Sequence, residues 1–312
     1  MYDTVNFWID NFDVSNGNPF EVVPYLTEIT ELHNEKKGYS YTGYMGDYTA
    51  KVYKHGIYLY GSLAKYFLNN NIGTLTRSAT QQAIEKMSEQ LHTDICKAKI
   101  MRIDVSTVIP TKQPPQSYYH YLGQKPYFKR LQTHIETLQY NNHLKQLIFY
   151  DKVEEAKNKN VTIPPLLEND NLLRYEMRIL KRINYQYKTE VTSATLYDEK
   201  FYYNIIQQWY NEFKTIQKLK SNNFMIENIN SKKAAKEAFL SFATQFLLQE
   251  KGHGIIDEFL QELKSEKKLP NRSDYSKLRT ELNKINVSKN GNKNDLINEL
   301  ETAIFEVAKY GR

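Results

Sequence analysis

A period of two runs through the first part of the chain. In "TVNFWID" (4–10), Val5, Phe7 and Ile9 alternate with polar neighbours, which predicts a strand with one buried face. "YTAKVYKHGIYLYGS" (48–62) reads as two short strands about a His55-Gly56 turn. From Ser78 to Leu91 the period changes. Ala83, Ile84, Met87 and Leu91 recur at helical spacing, with Thr76 or Ser78 as the N-cap. "IMRIDVSTVI" (100–109), "YYHYLG" (118–123), "LKQLIFYDKV" (144–153) and "LLRYEMRIL" (172–180) return to strand-like patterns. The proline-rich stretches "IPTKQPPQ" (109–116) and "VTIPPLLENDN" (161–171) break them apart.

Beyond about residue 190 the texture is that of amphipathic helices. These are "NIIQQWYNEFKTIQKL", "SKKAAKEAFLSFATQFLLQEKG", "GIIDEFLQELKSEKK", "SDYSKLRTELNKI" and "NDLINELETAIFEVAKY". Ser231, Ser273 and Asn294 serve as caps and Gly252 as a stop. The expected organisation is an α+β domain over residues 1–190 and a helical domain over 191–312.

Bulk composition narrows the class. With 312 residues, 40% hydrophobic and 25% charged, the chain can bury a real core. The densest apolar run, "AFLSFATQFLL" (238–248), is too short and too polar to cross a bilayer. "MYDTVNFWID" lacks the basic start and apolar run of a signal peptide. Cys96 is the only cysteine, so no intramolecular disulfide forms and a reducing cytoplasm is the expected home. The net charge of +6 permits a polyanionic partner such as DNA without requiring one.

Three strands carry charge where one solvated face is expected. Period two puts Ile103 and Val105 on one side of "RIDVS", and Arg102, Asp104 and Ser106 on the other. In "LIFYDK", Leu147, Phe149 and Asp151 share a side, while Ile148, Tyr150 and Lys152 share the opposite one. In "LLRYEMRI", Leu173, Tyr175, Met177 and Ile179 make an apolar face, and Arg174, Glu176 and Arg178 point away from it. If the strands share a sheet, one face gathers Asp104, Glu176, Tyr150, Lys152 and the arginines. Such a face is either solvated and stitched by salt bridges of small individual worth, or a site. As a site, its carboxylates suit Mg²⁺ or Mn²⁺ shared with a phosphate, and a tyrosine beside that ion is a phosphodiester nucleophile.

"RIDVS", "LIFYDKVEE" and "LLRYEMRIL" stand in the order and spacing of the phage and plasmid replication proteins of the gene II/X type. The chain resembles these initiators of rolling-circle replication over most of its length. "YHYLG" (119–123), "KVYKHGIYLYGSLAKYFLNNNIGTLT" and the tail "LPNRSDYSKLRTELNKINVS" fit the pattern as well. The resemblance implies a mostly antiparallel β-sheet nuclease domain with flanking helices, followed by the helical C-terminal domain. It implies an endonuclease and strand transferase that nicks and rejoins one strand at an origin through a 5′ phosphotyrosine. Tyr150 takes the place of the nucleophile, Asp104 and Glu176 of metal ligands for Mg²⁺ or Mn²⁺, and Lys152 and Arg174 of groups that assist the phenol or grip phosphate. The seven histidines, at 33, 55, 92, 120, 134, 143 and 253, include no His-hydrophobic-His pair, so the metal would rest on carboxylates. Whether His120 or Glu154 joins them is open.

Arg102, Arg174 and Arg178 would hold non-bridging phosphate oxygens or else pair with Asp104 and Glu176. Tyr118, Tyr119, Tyr121, Tyr127 and Phe128 lie among Lys125, Lys129 and Arg130, a mixture suited to single-stranded DNA or simply a tyrosine-rich sheet and loop. Partners implied are double- and single-stranded origin DNA, with room for a host helicase, a polymerase and self-association, in the cytoplasm of a bacterial host and without a membrane. The rival readings are a DNA-binding regulator that keeps the fold without catalysis, and a hydrolase that uses water with Tyr150 structural.

Overall fold

The computed structural model describes residues 1–35, 38–133, 137–159, 171–219, 231–233, 236–237, 240, 243–244, 247, 254–283 and 295–311. Its strands are β1 (Tyr2–Asp10), β2 (Thr27–Asn34), β3 (Gly38–Met45), β4 (Tyr48–Tyr53), β5 (Gly56–Ser62), β6 (Lys99–Thr111), β7 (Lys129–Thr133), β8 (Thr137–Asn141), β9 (Lys145–Asp151) and β10 (Asn171–Ile179). They form one ten-stranded sheet in the order β2-β3-β4-β5-β1-β6-β10-β9-β8-β7, antiparallel throughout. The helices are α1 (Leu63–Leu68), α2 (Arg77–Leu91), α3 (Gln116–Tyr119), α4 (Lys152–Asn158), α5 (Ile183–Tyr187), α6 (Glu199–Lys214), α7 (Gly254–Ser265), α8 (Arg272–Asn283) and α9 (Asp295–Tyr310). The fold is α+β with a helical C-terminal region. None of the helices among the described residues is long and apolar enough to cross a membrane.

The chain divides into two compact units. The first holds Met1–Tyr119, Lys125–Thr215 and Glu299–Arg312, and so contains the whole sheet. The second holds His120–Gln124 and Ile216–Asn298. Within it, Ile256 and Leu260 of α7 pack with Leu278 and Leu282 of α8.

In the first unit the alternation of the strands becomes two unlike faces. Val5, Phe7, Ile9, Leu59, Ile103, Val105, Phe149, Tyr175 and Met177 are buried on one of them. α6 closes that face over β9 and β10. Tyr175 stacks on Phe149 at 4.5 Å and meets Trp209 at 4.8 Å, and its hydroxyl donates to the Trp209 carbonyl at 3.1 Å. α2 starts where expected, its first turn capped by Thr76 Oγ1, which accepts from Ala79 N–H.

Three local expectations differ from the structure. "YYHYLG" does not form a strand: Tyr118 and Tyr119 end α3, and only Leu122 makes an isolated bridge, to Lys218. Pro114 and Pro115 start the turn that becomes α3, their carbonyls accepting from Ser117 and Tyr118 N–H. Lys152 is the first residue of α4 rather than part of a strand, because Asp151 accepts from Val153 and Glu154 N–H as an N-cap. Ser273 lies inside α8, which begins at Arg272. Gly252, Asn294 and most of the helix expected over 231–252 fall outside the described residues.

Candidate active site

β6, β10 and β9 are neighbours, and their register decides which polar side chains meet. Arg178 stands opposite Asp104 and Gln146, Glu176 opposite Ser106 and Ile148, and Arg174 opposite Tyr150. Side chains directly paired across strands share a face, so the segments that carry R-x-D, Y-D-K and R-x-E-x-R converge. The Tyr150 hydroxyl donates to Glu176 Oε2 at 3.4 Å. Arg102 grips Asp104 with two nitrogens, Nε at 2.8 Å and Nη2 at 2.5 Å. Arg178 Nε reaches Glu176 Oε1 at 2.5 Å and Asp104 Oδ2 at 3.7 Å.

Beneath them Arg174 is 1% exposed. Its guanidinium donates to the Asn71 carbonyl, to Asp3 and to Ser106 Oγ, the last at 2.7 Å, and lies 3.7 Å from Glu176. Arg174 therefore holds carboxylates from inside the fold. In this conformation it does not face solvent, where a phosphate would arrive. α4 is part of the cover: Val153 and Ala156 pack with Leu172, and Ile72 and Val108 join them.

Lys152 is placed differently from its expected position beside the phenol. Its ammonium, 1% exposed at residue level, donates to Glu155 at 2.7 Å and Asn71 at 2.9 Å. The cation whose field acts on Tyr150 is Arg174. Asp3, Asn71 and Glu155 complete the cluster and were not singled out by the sequence. Glu155 becomes legible only once α4 is known, as the i+3 partner of Lys152.

Charge is balanced here, with Asp3, Asp104, Glu155 and Glu176 set against Arg102, Lys152, Arg174 and Arg178. Burial pushes the Tyr150 phenol up, and Arg174 opposes that rise. Burial also raises Asp104, against the pull of Arg102. For Glu176 burial acts in the same direction, but Arg178 and Arg174 outweigh it and hold the carboxyl below its usual range. Tyr150 and Arg178 line an open cleft of about 390 Å³, together with Gln139, Asp151, Glu154 and Glu155.

The donor set fits a divalent ion in kind. Asp104 and Glu176 both lie against Arg178 Nε, so the two carboxylates already share one cation. Among the described residues no group of three or more His, Cys, Asp or Glu could form a cage of protein ligands. Two carboxylates with phosphate and water is the usual set for Mg²⁺. Glu154 lines the cleft, while His120 belongs to the second unit.

The expected DNA contacts scatter. Tyr119 has no exposed surface, so its ring has no face for a base. Lys125 is 5% exposed and pairs with Glu212 at 2.9 Å. Tyr121 lies in the second unit. Lys129 is exposed on β7, and Arg130 is half-buried and donates to the Tyr119 carbonyl at 3.1 Å.

Residues 1–209 match the family described as the N-terminal region of the gene II replication-associated protein. The chain belongs to that family of phage replication-associated proteins, and its role as a replication initiator rests on this membership. A search of curated proteins gives no match.

Proposed function

We propose that the protein nicks and rejoins one DNA strand at a phage or plasmid origin, with Tyr150 as nucleophile. The observation that carries this reading is Tyr150, whose hydroxyl donates to Glu176 and which lines an open cleft with Arg178. The Tyr150 oxygen bonds to phosphorus as the bond from phosphorus to the 3′ oxygen breaks. The leaving 3′ oxygen takes up a proton and the phenol gives one up, both exchanged through the solvent of the cleft. One phosphodiester replaces another, so the reverse reaction rejoins the strand.

The charge of Arg174 lowers the cost of a phenolate that burial otherwise raises. Arg102 and Arg178, each with a side chain 30% exposed, can turn from Asp104 and Glu176 to the non-bridging oxygens. Asp104 and Glu176 would hold Mg²⁺ or Mn²⁺, which when bound polarises the phosphate.

The test is a gel for SDS-resistant adducts between the protein and a labelled single strand or supercoiled DNA carrying the cognate origin. Wild type is expected to form the adduct, to lose it in EDTA and to regain it with Mg²⁺ or Mn²⁺. Tyr150→Phe keeps the ring and loses the attacking oxygen, so it should fold, bind and form none. An undiminished adduct in Tyr150→Phe would remove Tyr150 from this role. Nicking without any adduct would favour attack by water.

A further inference from the structure

We propose that the rings of Trp8, Tyr53, Tyr58 and Tyr60, on the same sheet face as Tyr150, stack the unpaired bases of single-stranded DNA. For its occupant the inference rests on the reading just given. Its location rests on register. Arg102 of β6 pairs with Asn6 of β1, Asn6 with Tyr60 of β5, Trp8 with Tyr58, and Tyr58 with Lys51 of β4. The face that holds the carboxylates and arginines therefore continues across β1 and β5 to β4.

The other face of these strands is committed to the core. Phe7, Ile9, Ala50, Val52, Ile57 and Leu59 are all buried there. On the Tyr150 face the four rings are half-exposed. Trp8 and Tyr53 stack at 6.4 Å, and Tyr58 and Tyr60 at 5.4 Å. Lys51 Nζ lies 5.5 Å from the Tyr60 ring. Gly56 lets the turn between β4 and β5 lie against the indole, since a Cβ there would come within 2.7 Å of Trp8 Cζ2.

A second observation points to a ligand. Asn6 is 8% exposed, and its Nδ2 donates to the Tyr58 hydroxyl at 2.8 Å. Its Oδ1 is buried and has no hydrogen-bond donor among the described residues. Buried acceptors of this kind are rare. This one stands where the ring surface meets Arg102, and an amino or imino group of a seated base would supply the missing donor.

The chemistry of the surface selects its occupant. Flat rings with cations beside them bind flat, unpaired bases on a phosphate chain, whereas a duplex hides its base faces. Asp10, the nearby carboxylate, already accepts from Trp8 Nε1 at 2.7 Å and pairs with Lys99, so its charge is compensated against a polyanion. From β9 to β5 is four strand spacings, roughly 19 Å at about 4.8 Å each. The rings would thus hold the strand several nucleotides from the phosphate that Tyr150 attacks.

The test uses the full-length protein, a labelled single-stranded oligonucleotide and a matching strand of abasic residues. Trp209, the other tryptophan, is fully buried, so quenching by DNA reports on Trp8. The oligonucleotide should quench this fluorescence, the abasic strand should not, and Trp8→Phe should abolish the quench. By anisotropy, Tyr58→Ala and Tyr60→Ala should each weaken binding about fivefold or more, and Tyr60→Phe should bind like wild type. Equal quenching by the abasic strand, no quenching at all, or unchanged affinity in folded alanine variants would overturn the proposal. Should an alanine variant fail to fold, the contrast between the two strands on wild type decides alone. Ring-dependent binding without a covalent adduct would sink the transesterification and leave this surface standing. Normal adducts from variants of unchanged affinity would do the reverse.

Discussion

Arg174 and Arg178 sit four positions apart on β10, yet they do different work. Arg174 is 1% exposed and its charge answers Asp3 and Glu176. Removing it strands carboxylates in the interior, a change that costs about 3–5 kcal/mol where one partner of a buried pair is lost. Arg174→Ala should therefore lower stability by roughly that amount in urea unfolding. Arg174→Lys should recover only part, since an ammonium cannot reach three acceptors in the guanidinium's geometry. The Arg178 side chain is 30% exposed, so water can enter where it stood, and Arg178→Ala should cost less stability than Arg174→Ala although Glu176 is buried, while sharply reducing DNA cleavage. Equal loss of stability in both variants would contradict this division.

Among the helices, α6 couples the sheet's apolar face to a charge pair. Glu212 meets Lys125 at 2.9 Å and Lys145 of β9 at 2.7 Å. Burial acts to raise its carboxyl, but Lys145 and Lys125 outweigh burial and hold it below its usual value. A carboxyl depressed in the folded state stabilises it above the unfolded pKa, about 4.3 for glutamate. That stability is lost as pH falls through the depressed value. Wild type should therefore be more stable than Glu212→Gln at pH 7. Their urea midpoints should begin to approach each other below roughly pH 4.3 and meet once the carboxyl is protonated in both states. A gap that stays constant down to acid pH would show that packing, not charge, sets the difference.

Over the molecule as a whole, the sheet depends on chain segments far from it in sequence. The expected division near residue 190 would leave α6 outside the sheet domain, whereas α6 and Glu299–Arg312 both belong to the unit that contains the sheet. Glu299 accepts from Lys112 N–H at 2.8 Å and from the Tyr118 hydroxyl at 3.0 Å, and Phe305 packs on Tyr210 at 5.9 Å. A fragment ending at residue 190 lacks Trp209 and Phe213, which cover Tyr175 and Phe149. It should be insoluble, or should lack cooperative unfolding by circular dichroism. A soluble fragment that unfolds cooperatively would mean that the sheet is self-sufficient.

Alternation in "RIDVS", "LIFYDK" and "LLRYEMRI" was enough to put Asp104, Glu176, Tyr150 and the arginines on the side of each strand away from its main apolar row, because strand geometry turns a period of two into sides. That those sides make one face took the strand order. Helical spacing likewise placed α2 and left Thr76 and Ser78 as its candidate caps, of which the structure uses Thr76. Where a strand stops is a contest that periodicity does not register. The Asp151 cap turned Lys152 into a helix, and the prolines before Tyr118 made a helical turn from an expected strand. Partnership lay further out of reach. Asp3 and Asn71 join Arg174 across 171 and 103 residues of chain, and the ring surface arises because β1 lies between β5 and β6. Such contacts follow from strand order and register, and local spacing carries no information about either.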